Sequence, residues 1–422
     1  MRRLVPLGVF CIGAAALAGC GGGGSSPAAA PALPGTNQSA ASSARSSDYG
    51  QGLASGRFAH VCDAVPAGEA SCHAIIRTDT GVGRSPQGKA GSNATSPSGY
   101  GPAQLQGAYS LPASTTTNTV AIVDAYDDPN LESDLGVYRS TFGLPPCTTA
   151  NGCFKKVNQN GVQGSYPKSN ASWGQETSLD VDMVSANCPS CHILVVEANS
   201  ASFANLGAGV NAAAKLGAVA ISNSYGGSES SGESTYAPNY NHPGIAVTAS
   251  SGDSGYGAQS PASFNTVVAT GGTSLTLSGT TRVDETVWSG AGSGCSAYEL
   301  QQTWQNPYNS GCTKRIIADV AYDADPNTGV AVYDSFAYRG QTGWLVFGGT
   351  SVASPAIAAI YALASNTSAT TYPASYTYAN KASLHDVTSG SNGSCTVAYL
   401  CNGEVGYDGP TGLGTPNGIG AF

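Results

Sequence analysis

From Tyr100 onward, short apolar runs alternate with longer helical ones. Residues 120–125, 193–197, 218–222 and 245–250 read as strands, because each is a brief apolar run bounded by turn residues. Residues 175–186, 203–216 and 351–364 read as helices. Apolar strands separated by helices hide both faces only in a mostly parallel sheet with helices on each side. The expectation is an α/β fold of three layers. No internal repeat is apparent.

Composition narrows the setting. Of 422 residues, 41% are hydrophobic, enough for a sizeable core, and only 10% are charged. A net charge of −9 offers no basic stripe for phosphates, so nucleic acid is not an expected partner. Abundant Gly, Ser, Thr and Asn with few Lys suit an exported surface. Arg2 and Arg3 precede an apolar run over 4–18, a signal peptide too short for a comfortable membrane span. Leu17-Ala18-Gly19-Cys20 resembles the lipobox of exported bacterial lipoproteins, which would leave Cys20 lipidated and the chain membrane-anchored; the plainer reading is an ordinary signal cut nearby. Residues 21–48 are a Gly/Ser/Ala/Pro tether. Residues 49–99 form a small polar segment with two cysteines, and 100–422 the main domain.

Cys11 leaves with the signal and Cys20 would carry lipid. The other ten cysteines fall into neighbouring couples, 62/72, 147/153, 188/191, 295/312 and 395/401. That spacing suggests five short disulfide loops in an oxidising compartment. Cys188-Pro-Ser-Cys191 lacks the context of a redox motif.

Gly348-Gly349-Thr350-Ser351 opens the last long helical run. A Ser at a helix start has backbone N–H groups and the positive dipole end aimed at its hydroxyl, which suits a nucleophile. None of the five His (60, 73, 192, 242, 385) sits at a helix start suited to a triad, so carboxylates are the candidate bases. Glu176 and Asp180 are four apart on one helix face. Alone they read as an acidic helix start; beside Ser351 they read as a pair sharing a proton. Asp253 follows a strand in Ser251-Gly252-Asp253, and is either a turn residue or, protonated, a donor to a developing oxyanion. Ser224, Tyr225 and Gly226 end another strand, as a plain turn or as an edge on which an extended substrate adds a strand. Asp386, Val387, Glu404, Gly406 and Asp408 bring carboxylates and loop carbonyls together, oxygen-only ligation that suits Ca²⁺, although Asp-Gly loops are commonly just turns.

Taken in order, these residues resemble the sedolisin (serine-carboxyl peptidase) family. The set runs through Gly101-Pro-Ala-Gln-Leu-Gln106, Val120–Tyr126, Glu176-x-x-x-Asp180, Ser224-Tyr-Gly-Gly227, Ser251–Gly255, Thr270–Ser274, Gly348–Ser351 and the Asp386/Asp408 segment. The resemblance implies a subtilisin-like fold and hydrolysis of protein or peptide substrates at acid pH, by a monomer. It implies Ser351 as nucleophile, Glu176 as general base, Asp180 as second carboxylate and Asp253 in the oxyanion hole. It also implies one structural Ca²⁺ held by Asp386, Asp408 and the carbonyls of Val387, Glu404 and Gly406, although Val387 and Glu404 stand where the family often has Ile and Gly. Family members commonly carry a long N-terminal propeptide, and about 80 residues between Cys20 and Tyr100 are too few for one. Whether the segment up to residue 95 inhibits, assists folding or is trimmed stays open. Asp124, ending the first strand, reads as structural. The competing readings are an esterase, which lacks a Gly-x-Ser-x-Gly elbow, and a catalytically silent lipid-anchored binding protein on the same fold.

Overall fold

The computed structural model describes residues 49–79, 96–308, 311–366 and 368–422. The signal and lipobox residues 1–20 and the tether 21–48 lie outside these. In chain order the strands are β1 (Phe58–His60), β2 (Ser71–Cys72), β3 (Ile75–Arg77), β4 (Thr119–Ala125), β5 (Phe154–Asn158), β6 (His192–Ala198), β7 (Ala220–Asn223), β8 (Tyr225–Ser228), β9 (Ala246–Ser250), β10 (Gln259–Ser260), β11 (Val268–Ser278), β12 (Thr281–Val287), β13 (Gly294–Cys295), β14 (Ile316–Ile317), β15 (Val320–Asp323), β16 (Val330–Tyr338) and β17 (Gln341–Gly348). The helices used below are α1 (Pro102–Ala108), α2 (Leu131–Thr141), α3 (Ala171–Asn187), α4 (Phe203–Lys215) and α5 (Thr350–Ala364).

The central sheet runs β12-β11-β9-β7-β4-β6-β5, with β15 also on β11. Every pairing in it is parallel except β11 with β12. Alternation along each strand sends residues to opposite faces. Val120, Ile122, Ile193 and Val195 join a core with Leu179 and Val184 of α3 and Ala353 and Ile357 of α5. Ala121, Val123, Leu194 and Val196 join a second core with Val210 and Ala213 of α4. The sheet is thus covered on both sides, as the alternating runs require. Each fully buried Val or Ile contributes about 1.5–3 kcal/mol relative to exposure.

Local chemistry sets the helix starts. The Asn170 side chain caps α3 by accepting from the Ser172 and Trp173 N–H groups. Ser202 caps α4 through the Asn205 N–H. At the start of α5 the capping residue is Gly349, with φ +94°, a conformation that costs Gly little. Helix α3 starts four residues before the sequence-based bound, because its Asn170 cap lies outside the apolar periodicity, while α4 and α5 match theirs to within one residue.

Two smaller sheets position the site. One is antiparallel, β1-β3-β17-β16, and its strand β17 leads straight into Gly349 and α5. The other is β10-β8-β2. Both recruit the segment 49–79. Ile75 and Ile76 pair with Gly348 and Phe347, and Ser71 and Cys72 pair with Gly226 and Tyr225. Tyr49 and Phe58 pack with Trp288 in a small core of their own. The five expected disulfides are all formed.

Candidate active site

Helix α3 is buried along nearly its whole length, wedged against α5 and the sheet. Burial of both faces brings Glu176 and Asp180 inside, each with no exposed surface. Ser351, second in α5, is equally buried. Its hydroxyl donates to the Ser224 carbonyl at 3.2 Å and lies close enough to Glu176 to favour the ionised carboxylate. Glu176 Oε2 accepts the Ala74 N–H at 2.9 Å. Asp180 Oδ1 accepts from Ser224 Oγ at 2.8 Å. Burial foremost, and with it a hydrogen bond shared with the Glu176 carboxyl, favours protonated Asp180.

A third carboxyl belongs to this group. Asp124, the penultimate residue of β4, is fully buried and neither oxygen has a hydrogen-bond partner. Desolvation pushes it up to about 7. Desolvation, then repulsion from Asp124, also raises Glu176 and Asp180 well above the ordinary carboxylate range. Three buried carboxyls with no cation beside them among the described residues cannot all ionise, so the cluster holds protons in common.

Asp253, on the loop after β9, faces the start of α5. Its Oδ1 accepts both the Thr350 N–H and the Thr350 hydroxyl at 2.8 Å, while Oδ2 is unpartnered. Burial pushes it up to about 7, against the pull of the Thr350 bonds.

Ser224, Tyr225 and Gly226 do form an edge that carries an added strand, and the strand is the chain's own β2. The Tyr225 side chain itself is turned into the core, bonded to Asn223 Oδ1 and the Tyr240 hydroxyl. The His73 N–H donates to the Ser224 carbonyl at 3.1 Å. Its imidazole fills a slot where Nδ1 meets Ser250 Oγ at 2.6 Å and Nε2 meets Gln259 Oε1 at 3.0 Å. Gly226 forms the floor: a Cβ there would lie 2.6 Å from His73 Cε1. A Cβ on Gly349 would collide with the His73 carbonyl oxygen and sit 2.7 Å from Asp253 Oδ2. None of this was read from the sequence. Its one signal was the Ala74-Ile75-Ile76 run inside an otherwise polar segment closed by a cysteine couple.

The Ca²⁺ candidates lie apart from this group, in the C-terminal loops. Asp386 Oδ2 accepts the Gly406 N–H at 2.9 Å, and Asp408 Oδ2 the Glu404 N–H at 3.3 Å. Val387 is buried and Gly406 has φ +93°. Asp408 is raised well above its ordinary range by burial, and repulsion from Asp386 adds to it. Two carboxylates from separate segments that bond the same 404–406 turn, Asp408 being the desolvated one, match the oxygen donors a hard cation takes. Among the described residues no three His, Cys, Asp or Glu side chains converge on a metal position, so loop carbonyls would have to complete the shell.

No protein-family profile matches the chain. Among curated proteins it is 36% identical over 186 residues to xanthomonalisin of Xanthomonas sp. strain T-22, covering 38% of this chain and 21% of that protein. It is 34% identical over 177 residues to sedolisin of Pseudomonas sp. strain 101, covering 38% and 29%. It is 32% identical over 203 residues to kumamolisin of Bacillus sp. strain MN-32, covering 42% and 35%. The chain therefore spans about a third or less of the length of these relatives. Among solved structures, Pseudomonas sedolisin, a serine-carboxyl proteinase complexed with two molecules of pseudo-iodotyrostatin, superposes with a TM-score of 0.63 at 25% identity. That match covers 76% of this chain and 96% of the other.

Proposed function

We propose, from its similarity to sedolisin-family proteins and its site geometry, that the chain is a serine-type peptidase of that family acting at acid pH. One observation carries the reading. Ser351, a cluster of proton-sharing carboxyls and a carboxyl poised to be neutral surround one point, and the only imidazole beside them, that of His73, engages Ser250 and Gln259 instead of Ser351. Such a site has a nucleophile, a carboxylate base and an acid donor, but no His base.

In this mechanism Ser351 Oγ attacks the scissile carbonyl carbon while Glu176 takes the hydroxyl proton. Protonated Asp180 donates to Glu176 and holds it in place. The tetrahedral oxyanion takes hydrogen bonds from Asp253 Oδ2–H and the Ser351 N–H. Glu176 returns the proton to the leaving amine, and water attacks the acyl-enzyme by the same route. An extended substrate would pair with Ser224, Tyr225 and Gly226.

The pH dependence follows from the groups. Asp253 acts as a donor only while neutral, so rate falls as pH rises through about 7. The cluster acts as a base only once it has lost a proton, so rate also falls at the acid extreme. Ca²⁺, held by Asp386, Asp408 and the carbonyls of Val387, Glu404 and Gly406, would neutralise buried charge and stiffen those loops. The signal and lipobox sequence add export and anchoring through Cys20; among the described residues no helix is long and apolar enough to cross a membrane.

The test is hydrolysis of a denatured protein from pH 2 to 9, wild type beside Ser351→Ala. An acid-range bell that vanishes in the variant supports the reading. A rate maximum above pH 7 sinks the carboxylate mechanism, and a ligand-binding role that survives Ser351→Ala would favour the silent binding protein.

A further inference from the structure

We propose that the β5 edge of the molecule is a docking surface for an anionic phospholipid bilayer. The proposal is independent of the peptidase reading.

The chain is acidic, at net −9, yet one face carries the opposite sign. Between Thr141 and Gly227 the carboxyl side chains are Glu176, Asp180, Asp182 and Glu197, and burial removes all four from the surface. The cations of the same stretch are Lys155, Lys156, Lys168 and Lys215. Lys156 is held inward by Asp127 at 2.6 Å and Glu197 at 3.2 Å. Lys155, Lys168 and Lys215 have no carboxylate partner among the described residues. The surface that this stretch contributes is therefore positive.

The fold gathers these lysines. Strand β5, last in the central sheet, carries Lys155. The chain beyond it doubles back on the strand. The Asn158 N–H donates to the Val162 carbonyl at 2.9 Å, Asn158 Nδ2 to the Ser165 carbonyl at 2.8 Å, and the Tyr166 hydroxyl to the Lys156 carbonyl at 3.2 Å. Leu216, just past α4, packs on that turn, 3.6 Å from where a Gly161 Cβ would stand. One shallow cleft is lined by Lys155, Leu194 and Leu216, and the next by Lys215, Leu216 and Asn160. Lys168 follows Tyr166, whose ring lies 4.4 Å from the Lys156 ammonium. The bordering carboxyls are engaged: Asp127 with Lys156 and Ser169, Glu132 with the Thr149 N–H and hydroxyl.

Charge alone would suit any polyanion, and the apolar side chains decide among them. Val162 is 51% exposed, Leu216 39% and Tyr166 38%, all standing among the lysines. At a bilayer, lysines meet anionic head groups while such side chains reach the acyl carbons just beneath. A soluble polyanion offers the charge without the hydrocarbon. Ser224 follows β7, three strands away from β5 in the sheet, so a bilayer on this edge leaves the catalytic cleft open. The lipobox expected at Cys20 would hold the chain at the same surface.

The experiment is co-sedimentation of the full chain with vesicles of phosphatidylcholine, alone or mixed equally with phosphatidylglycerol, at low salt. Wild type is compared with the triple variant Lys155→Gln/Lys168→Gln/Lys215→Gln and the double variant Val162→Ser/Leu216→Ser. All share one N-terminus, so differences between them report this face. Each lysine near an anionic surface strengthens binding about fivefold, so the triple variant should bind the anionic vesicles at least about tenfold more weakly than wild type, and the zwitterionic vesicles equally. The double variant should lose affinity severalfold at unchanged charge. Raising salt to about 0.5 M should weaken wild-type binding about tenfold or more, a readout that needs no variant. Wild type and triple variant indistinguishable on anionic vesicles, or wild-type binding indifferent to salt, overturns the proposal. Displacement of the vesicles by polyglutamate, with the double variant binding like wild type, also overturns it and makes the face a dock for an acidic chain. Release by millimolar inorganic phosphate at constant ionic strength overturns it too, in favour of a discrete phosphate site.

Discussion

Thr350 gives Asp253 two hydrogen bonds at once, backbone N–H and hydroxyl, both to Oδ1 at 2.8 Å. With Oδ1 occupied as an acceptor, the proton of neutral Asp253 belongs on Oδ2, the oxygen that faces the His73 carbonyl. The carboxyl is thereby oriented as a donor before any substrate charge develops.

Asp253→Asn should keep this geometry, since an amide can accept at Oδ1 and donate from Nδ2. Its activity should persist at a reduced level and lose the decline near pH 7, because no proton remains to be lost. Asp253→Ala should fall by about 10²–10³ in kcat at every pH. Identical pH profiles for Asn and wild type would show that Asp253 does not set the alkaline limb.

Glu176 and Asp180 should respond unequally. Glu176→Gln removes the carboxylate that meets the Ser351 hydroxyl, and should cost about 10²–10⁴ in kcat. Asp180 acts as a protonated donor, with Oδ1 committed to Ser224 Oγ. Asp180→Asn retains a donor there and should cost about tenfold or less, whereas Asp180→Ala should approach the Glu176 loss. Equal defects in Glu176→Gln and Asp180→Asn would reverse the assignment of base and positioner.

Stability should carry the same signature. Burial raises Asp124 and Asp253 to about 7 and holds Glu176, Asp180, Asp182 and Asp323 well above the ordinary range. The folded chain keeps protons that the unfolded chain releases above about pH 4, so stability falls as pH rises from about 4 through about 7. His73, lowered to about 4 by burial, works the other way between about 6.5 and 4, as do His60, His242 and His385, also lowered by burial, but the raised carboxyls outnumber them. In the Ser351→Ala protein, which lacks the proposed nucleophile, Tm should be several degrees higher near pH 4 than at pH 7. A Tm that rises toward neutrality would mean these carboxyls ionise freely in the fold.

The sheet and its covering helices were legible because burial on two faces demands apolar runs, and 120–125, 193–197 and 245–250 advertise themselves. Ser351, Glu176, Asp180 and Asp253 were legible as a set, through spacing and a helix-opening Gly-Gly-Thr-Ser. Asp124 was read as structural because a lone Asp ending a strand carries no sign of what it faces. Its membership in the cluster comes from α3 crossing β4. The placement of 71–75 was hidden for a similar reason: β-pairing with residues 225–226 and 347–348 spans more than 150 positions of sequence, and a two- or three-residue strand leaves no periodicity to read. The segment 49–79 is woven into two sheets around Ser351.

Gly226 offers the sharpest probe of that arrangement. A Cβ there meets His73 Cε1 at 2.6 Å and Gln259 Oε1 at 2.8 Å, side-chain atoms and not the β8 backbone. Gly226→Ala should therefore narrow the His73 slot while leaving the strand edge in register. Overpacking of this kind costs about 1–3 kcal/mol, and in a chain of this size should lower Tm by a few degrees. Thermal unfolding of the variant beside wild type measures it directly. An unmoved Tm would mean that His73 and Gln259 yield to the added methyl without cost.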